Sequence, residues 1–87
     1  MQSIRIAPWI SWVDEAASLV LFDSRDASYH ALNASASAIW RHLAAGRDEE
    51  EVVDAIVSEH GAPEAEAQEA VSVFVASALA KGLLVAE

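Results

Sequence analysis

Ser18-Leu19-Val20-Leu21-Phe22-Asp23-Ser24-Arg25-Asp26-Ala27-Ser28-Tyr29-His30-Ala31-Leu32-Asn33-Ala34-Ser35-Ala36 decides the fold, because the apolar period changes inside it. Ser18 to Phe22 is a short apolar run, Ser28 to Leu32 is a second strand-like run, and the turn-rich Asp23 to Ala27 between them predicts a hairpin. After Leu32 the period moves from two to about 3.6. Ala36, Ile39, Trp40 and Leu43 then share one face of a helix, with Asn33 or Ser35 as its cap.

Upstream of the hairpin, Trp9-Ile10-Ser11-Trp12-Val13 is aromatic and β-branched and reads as a first strand ended by Asp14-Glu15. Downstream, Gly46 stops the first helix. A second helix is expected from about Asp48, with Glu49, Glu50 and Glu51 at the positive end of its dipole and Val52, Val53, Ile56 and Val57 as its buried stripe. Gly61 ends it. A third runs from Pro63 to Lys81, with Ala67, Val71, Phe74, Val75 and Ala78 facing the core and Gly82 as the stop. Leu83-Leu84-Val85 is expected to fold back as a short extended cover. The layout is α+β and winged helix-turn-helix-like: a three-stranded antiparallel sheet followed by three helices, in one domain over residues 1–87.

The totals limit what such a domain can be. Eighty-seven residues support one core. The absence of cysteine removes disulfides, thiolate metal sites and thiol nucleophiles, and points to a reducing cytoplasm. No targeting segment opens the sequence, and no stretch has the length of a membrane span. The net charge is −9, and all the excess lies in the second half: residues 48–87 hold one lysine and ten carboxylates. Such a field repels phosphate backbones and anionic lipid headgroups, so neither nucleic acid nor membrane is expected as a partner.

No catalytic constellation emerges. His30, His42 and His60 lie on three separate elements without metal-ligand spacing, so no metal is expected. Asp48-Glu49-Glu50-Glu51 is a solvated helix start, not a pair of carboxylates held in unlike environments. All three glycines are used as helix stops, which leaves none for a phosphate-cradling loop, and no serine has a base beside it. The protein is therefore expected to be neither an enzyme nor a cofactor binder. The second and third helices have the layout of a helix-turn-helix, which makes a DNA-binding regulator the runner-up. Against it, Glu64, Glu66, Gln68 and Glu69 stand where phosphate contacts would need lysine and arginine.

The positive signal is an edge. In a meander the last strand, Ser28 to Leu32, keeps one row of backbone groups unpaired, which invites another strand. The third helix is also apolar nearly all round, with Ala70, Val73, Ala76 and Ala80 beyond its core stripe. A groove between the two would take an extended peptide. Alanine-rich helices are also simply good helices, so the residues alone leave both readings open. An exposed edge likewise leaves open pairing between two copies, or a purely structural subunit.

Ser18 to Asp23, then Tyr29-His30-Ala31-Leu32-Asn33-Ala34-Ser35-Ala36, Ile39-Trp40 and the closing Lys81-Gly82-Leu83-Leu84 together resemble the PqqD-like family, over about residues 9–85. Its members are recognition elements that bind the leader segment of a ribosomally made precursor peptide and present it to a modifying enzyme. The resemblance implies that a leader adds as a strand beside Ser28, Tyr29, His30, Ala31 and Leu32 and packs against the third helix. Ser72, Val75, Ala76 and Leu79 are the expected pocket wall, and Val73, Ser77 and Ala80 on the other flank are the alternative. The resemblance also implies two partners, a leader peptide and a peptide-modifying enzyme.

Overall fold

The computed structural model describes residues 4–15 and 18–86, so the ends of the expected domain at 1–3 and 87 lie outside it. Along the chain come β1 (Ile4–Ile6), β2 (Ile10–Glu15), β3 (Ser18–Asp23), β4 (Ser28–Leu32), α1 (Ala34–Ala44), α2 (Glu49–His60), α3 (Glu64–Ala80) and β5 (Leu84–Ala86). β2, β3 and β4 form the expected antiparallel meander, followed by the three expected helices. No described helix is long and apolar enough to cross a membrane.

Register sets the two faces of this sheet. Leu21 pairs with Trp12 on one side and His30 on the other, and Leu19 with Asp14 and Leu32. Side chains alternate, so Ile10, Trp12, Leu19, Leu21, His30 and Leu32 turn toward the helices. Leu19 and Leu21 are fully buried there, each contributing about 1.5–3 kcal/mol of apolar transfer. Above them lies the indole of Trp40, also fully buried, with edge-to-face contacts to Trp12 at 5.7 Å and Phe74 at 6.4 Å. Phe74 thus links the core to the surface of α3.

Caps bound the helices as their sequences require. Asn33 Oδ1 accepts from the Ala36 amide at 2.8 Å, which settles the cap of α1 on Asn33 and not Ser35. Asp48 and Glu51 form a reciprocal capping box at the start of α2. Gly61 ends α2 in the left-handed region with φ +65°.

Three features depart from the expectation. Asp14 and Glu15 are themselves the last paired residues of the first strand of the meander and not a stop that follows it, because Asp14 pairs across to Leu19 and reaches Arg41 of α1 through bonds of 2.8 and 2.6 Å. Trp9, expected in that strand, lies in the preceding turn. Its indole N–H donates to the Gly82 carbonyl at 2.8 Å, and the Arg25 guanidinium sits 4.7 Å from its ring centre. Ile4–Ile6 was not anticipated as a strand, and it pairs antiparallel with Leu84–Ala86. The tail is therefore a paired strand that closes the core from below α1 and α3, not only a cover.

Candidate functional site

β4 is the last strand of its sheet, and no described residue pairs with its outer edge. The backbone phase on that edge follows from one bond. Ser24 N–H donates to the Trp9 carbonyl at 3.1 Å, so Trp9 and Ser24 are a hydrogen-bonded pair. In an antiparallel ladder such pairs recur at every second residue. Phe22 and Val20 therefore bond toward β2, while Leu21 and Leu19 bond toward β4. On β4 it follows that Ser28, His30 and Leu32 turn their backbone groups to β3, and Tyr29 and Ala31 turn theirs outward. Two N–H and two C=O groups stand ready for another strand.

The hairpin turn that delivers this edge is tightly braced. Asp23, only 3% exposed, accepts from the Arg25 backbone at 2.9 Å and from its guanidinium at 3.1 and 2.7 Å, while the same guanidinium donates to the Lys81 carbonyl at 3.1 Å. The Arg25 guanidinium holds the Asp23 carboxyl below its ordinary range, against the opposing effect of burial. Asp26 accepts from the Ser28 amide and hydroxyl, fixing the first residue of β4. Ala27, with φ 59°, is the one described residue other than glycine in the left-handed region, as the hairpin bend requires. A Cβ on Gly82 would come within 2.5 Å of the Arg25 guanidinium, which would have to shift, and the φ of +74° is itself one that favours glycine.

Opposite this edge stands α3. It packs on α2 and β5 and leaves a gap toward β4. One recess of about 380 Å³ lies between His30, Ala31 and Leu32 on one side and Phe74, Ser77 and Lys81 on the other. A second, of about 550 Å³, continues it past Asn33 and Ala36 of α1 to Val73, Ala70, Glu69 and Glu66. Shared residues Asn33, Ala36, Phe74 and Ser77 make them one trough, with α3 antiparallel to β4. Its floor is apolar. Val73, 63% exposed, is a large aliphatic side chain left facing solvent on its wall.

Of the residues expected from the sequence, His30, Ala31 and Leu32 line the trough. Ser28 and Tyr29 are on the edge strand, but the Tyr29 side chain points to the other sheet face, where its ring lies 5.0 Å from Phe22 and is 71% exposed. The expected wall of α3 is displaced. Val75 is 4% exposed in the core, Leu79 packs against that core, and Ser72 and Ala76 are exposed; none of the four lines either recess. The alternative flank, represented by Val73 and Ser77 together with Phe74 and Lys81, is the one that faces β4. Phe74, read from the sequence only as core, is half-buried and lines both recesses.

The three histidines do not share one site: His42 and His60 both approach Glu59, while His30 lies on β4 beside Ser28. His42 Nε2 lies 2.9 Å from Glu59 and its Nδ1 2.9 Å from Arg47, while His60 stands 4.0 Å from Glu59. Hydrogen bonding to His42 holds the Glu59 carboxyl below its ordinary range. Among the described residues, no group of three His, Asp or Glu side chains is placed to hold a metal ion.

Known proteins share this fold. The family described as Coenzyme PQQ synthesis protein D (PqqD) matches residues 18–84. A solved structure of TbiB1 in complex with the TbiA(beta) leader peptide is 28% identical, with a TM-score of 0.87 over 92% of this chain and 93% of that one. A lasso peptide synthetase B1 complexed with the leader peptide is 26% identical, with a TM-score of 0.85 over 95% and 98%. No curated protein sequence matches the chain.

Proposed function

The chain belongs to the family of coenzyme PQQ synthesis protein D, and from that premise we propose that it is a non-catalytic adaptor, which binds the leader segment of a ribosomally synthesised precursor peptide as an added strand on β4 and delivers it to a modifying enzyme. The observation that carries this reading is the unpaired edge of β4 facing the apolar flank of α3 across a continuous trough. Strand addition needs both parts: backbone groups give affinity, and pockets for alternate side chains give selectivity. Two structural neighbours, each at more than 25% identity over nearly the whole chain, hold leader peptides, which supports a leader peptide as the ligand of this chain.

A strand added beside Tyr29 and Ala31 would place its own residues opposite His30 and Leu32 with their side chains turned into the trough. The proposed contacts are therefore the β4 edge with Val73, Phe74, Ser77 and Lys81 of α3. Val13, Phe22 and Tyr29 lie on the opposite sheet face, so a bound peptide leaves that face open to a second protein. Exposed Glu64, Glu66 and Glu69 at the start of α3 disfavour nucleic acid, and a cytoplasmic setting completes the proposal.

The test is a fluorescence anisotropy titration against labelled N-terminal segments of short open reading frames encoded nearby, with a labelled DNA duplex as control. Saturable binding of one peptide supports the adaptor. Binding of the duplex alone overturns it in favour of a regulator.

A further inference from the structure

The trough is electrically polar along its length. At the end beside the hairpin stands Lys81, the one lysine or arginine between positions 48 and 87. At the other end, beside the start of α1, stand Glu66 and Glu69. All three are exposed, and none of them is ion-paired among the described residues. The middle, formed by Ala36, Ile39, Ala70, Val73 and Phe74, carries no charge. An extended peptide lying here meets a cation at one end, an apolar wall, and two anions at the other.

Resting on the adaptor reading above, we infer that this trough selects the direction and charge pattern of its peptide: a basic residue, then an apolar one, then an acidic residue, read from N- to C-terminus. Direction follows from pairing. Antiparallel addition to β4 is the slightly more stable mode. Because α3 is antiparallel to β4, a strand antiparallel to β4 runs with α3, from the Glu66 and Glu69 end toward Lys81. Spacing follows from geometry. Glu69 and Lys81 are separated by twelve helical positions, or about 18 Å at 1.5 Å each. An extended chain covers about 18 Å in five or six residues at roughly 3.3 Å each. Inward-facing positions recur every second residue, so six fits the pleat: base at one position, acid six later, and an apolar side chain two or four positions after the base against Val73 and Phe74.

These are solvent-exposed charges, so the selection is modest and depends on salt. Reversing both peptide charges replaces attraction with repulsion at both ends, which predicts roughly a tenfold difference in affinity at low ionic strength that shrinks toward parity near 1 M salt.

The experiment is a display selection of random thirteen-residue peptides on the intact protein at low salt, followed by anisotropy titration of enriched members and their charge-swapped counterparts. Ala31→Pro serves as the control for binding through the β4 edge. The inference predicts a pool enriched in base-before-acid sequences about six residues apart, and a preference inverted by the triple variant Glu66→Lys, Glu69→Lys, Lys81→Glu. A pool that depends on the edge but has no charge bias, or the reverse order, overturns the inference and leaves the adaptor reading standing. No enrichment of any peptide overturns both.

Discussion

Proline at position 31 should separate binding from folding. The Ala31 N–H points away from β3, so Ala31→Pro removes a donor from the docking edge without breaking a ladder bond. Losing that bond costs about 1 kcal/mol net, and the peptide carbonyl left without a partner adds about 1–2 kcal/mol more. Together they weaken binding by about 2–3 kcal/mol, or roughly thirty- to 150-fold. The fold should lose no more than about 1 kcal/mol, as at other exposed edges. His30→Pro is the contrast, because that N–H bonds toward Leu21. There the ladder itself is cut and the Leu21 carbonyl loses its donor, at about 2–3 kcal/mol, a large part of the stability of a domain at the low end of roughly 5–15 kcal/mol. Anisotropy titrations and thermal melts followed by circular dichroism measure both effects. Ala31→Pro with unchanged affinity, or His30→Pro with an unchanged melt, would refute the phase assigned to β4.

The remaining predictions concern α3, the hairpin brace and pH. Val73→Asp should reduce peptide affinity while leaving the melt within about 0.5 kcal/mol, since Val73 is on the surface; Val75→Asp places a carboxylate in the core and should unfold the domain. Melts of the two variants side by side check the choice of flank. Gly82→Ala should destabilise by about 1–2 kcal/mol from its positive φ alone, with a change in Trp9 fluorescence because Arg25 must move. In acid, stability should fall below about pH 4. Arg41 holds the Asp14 carboxyl, Arg25 that of Asp23 and His42 that of Glu59 below their ordinary range. With folded values under the unfolded ones, their contribution is complete above the unfolded values and is lost as pH drops through the folded ones. Denaturant midpoints between pH 7 and pH 2 measure it, and a flat profile would contradict these pairings.

Much of the fold was legible because local signals and burial agreed. The shift of period at Leu32, the Asp48 cap with Glu51 three residues later, and the glycines after α1, α2 and α3 each specify one backbone state. β1 was invisible because Ile4-Arg5-Ile6 is too short to show alternation, and its pairing with β5 lies about eighty residues away. Asp14 and Glu15 misled for a related reason: charge at a strand end reads as a stop unless the partner is known, and Arg41 is 27 positions on. The unpaired edge of β4 was legible from strand order alone. The flank of α3 was not, since the helix is apolar almost all round and only its packing on α2 and β5 decides which side is left for β4.

Amide hydrogen exchange at Tyr29 and Ala31, measured with and without a saturating leader peptide, tests the central claim most directly. In the free protein both amides should exchange fast, while His30 is protected by β3. With peptide bound, Tyr29 and Ala31 should slow markedly, and His30 should change little. Saturable binding that leaves both edge amides exchanging as before would contradict strand addition on β4.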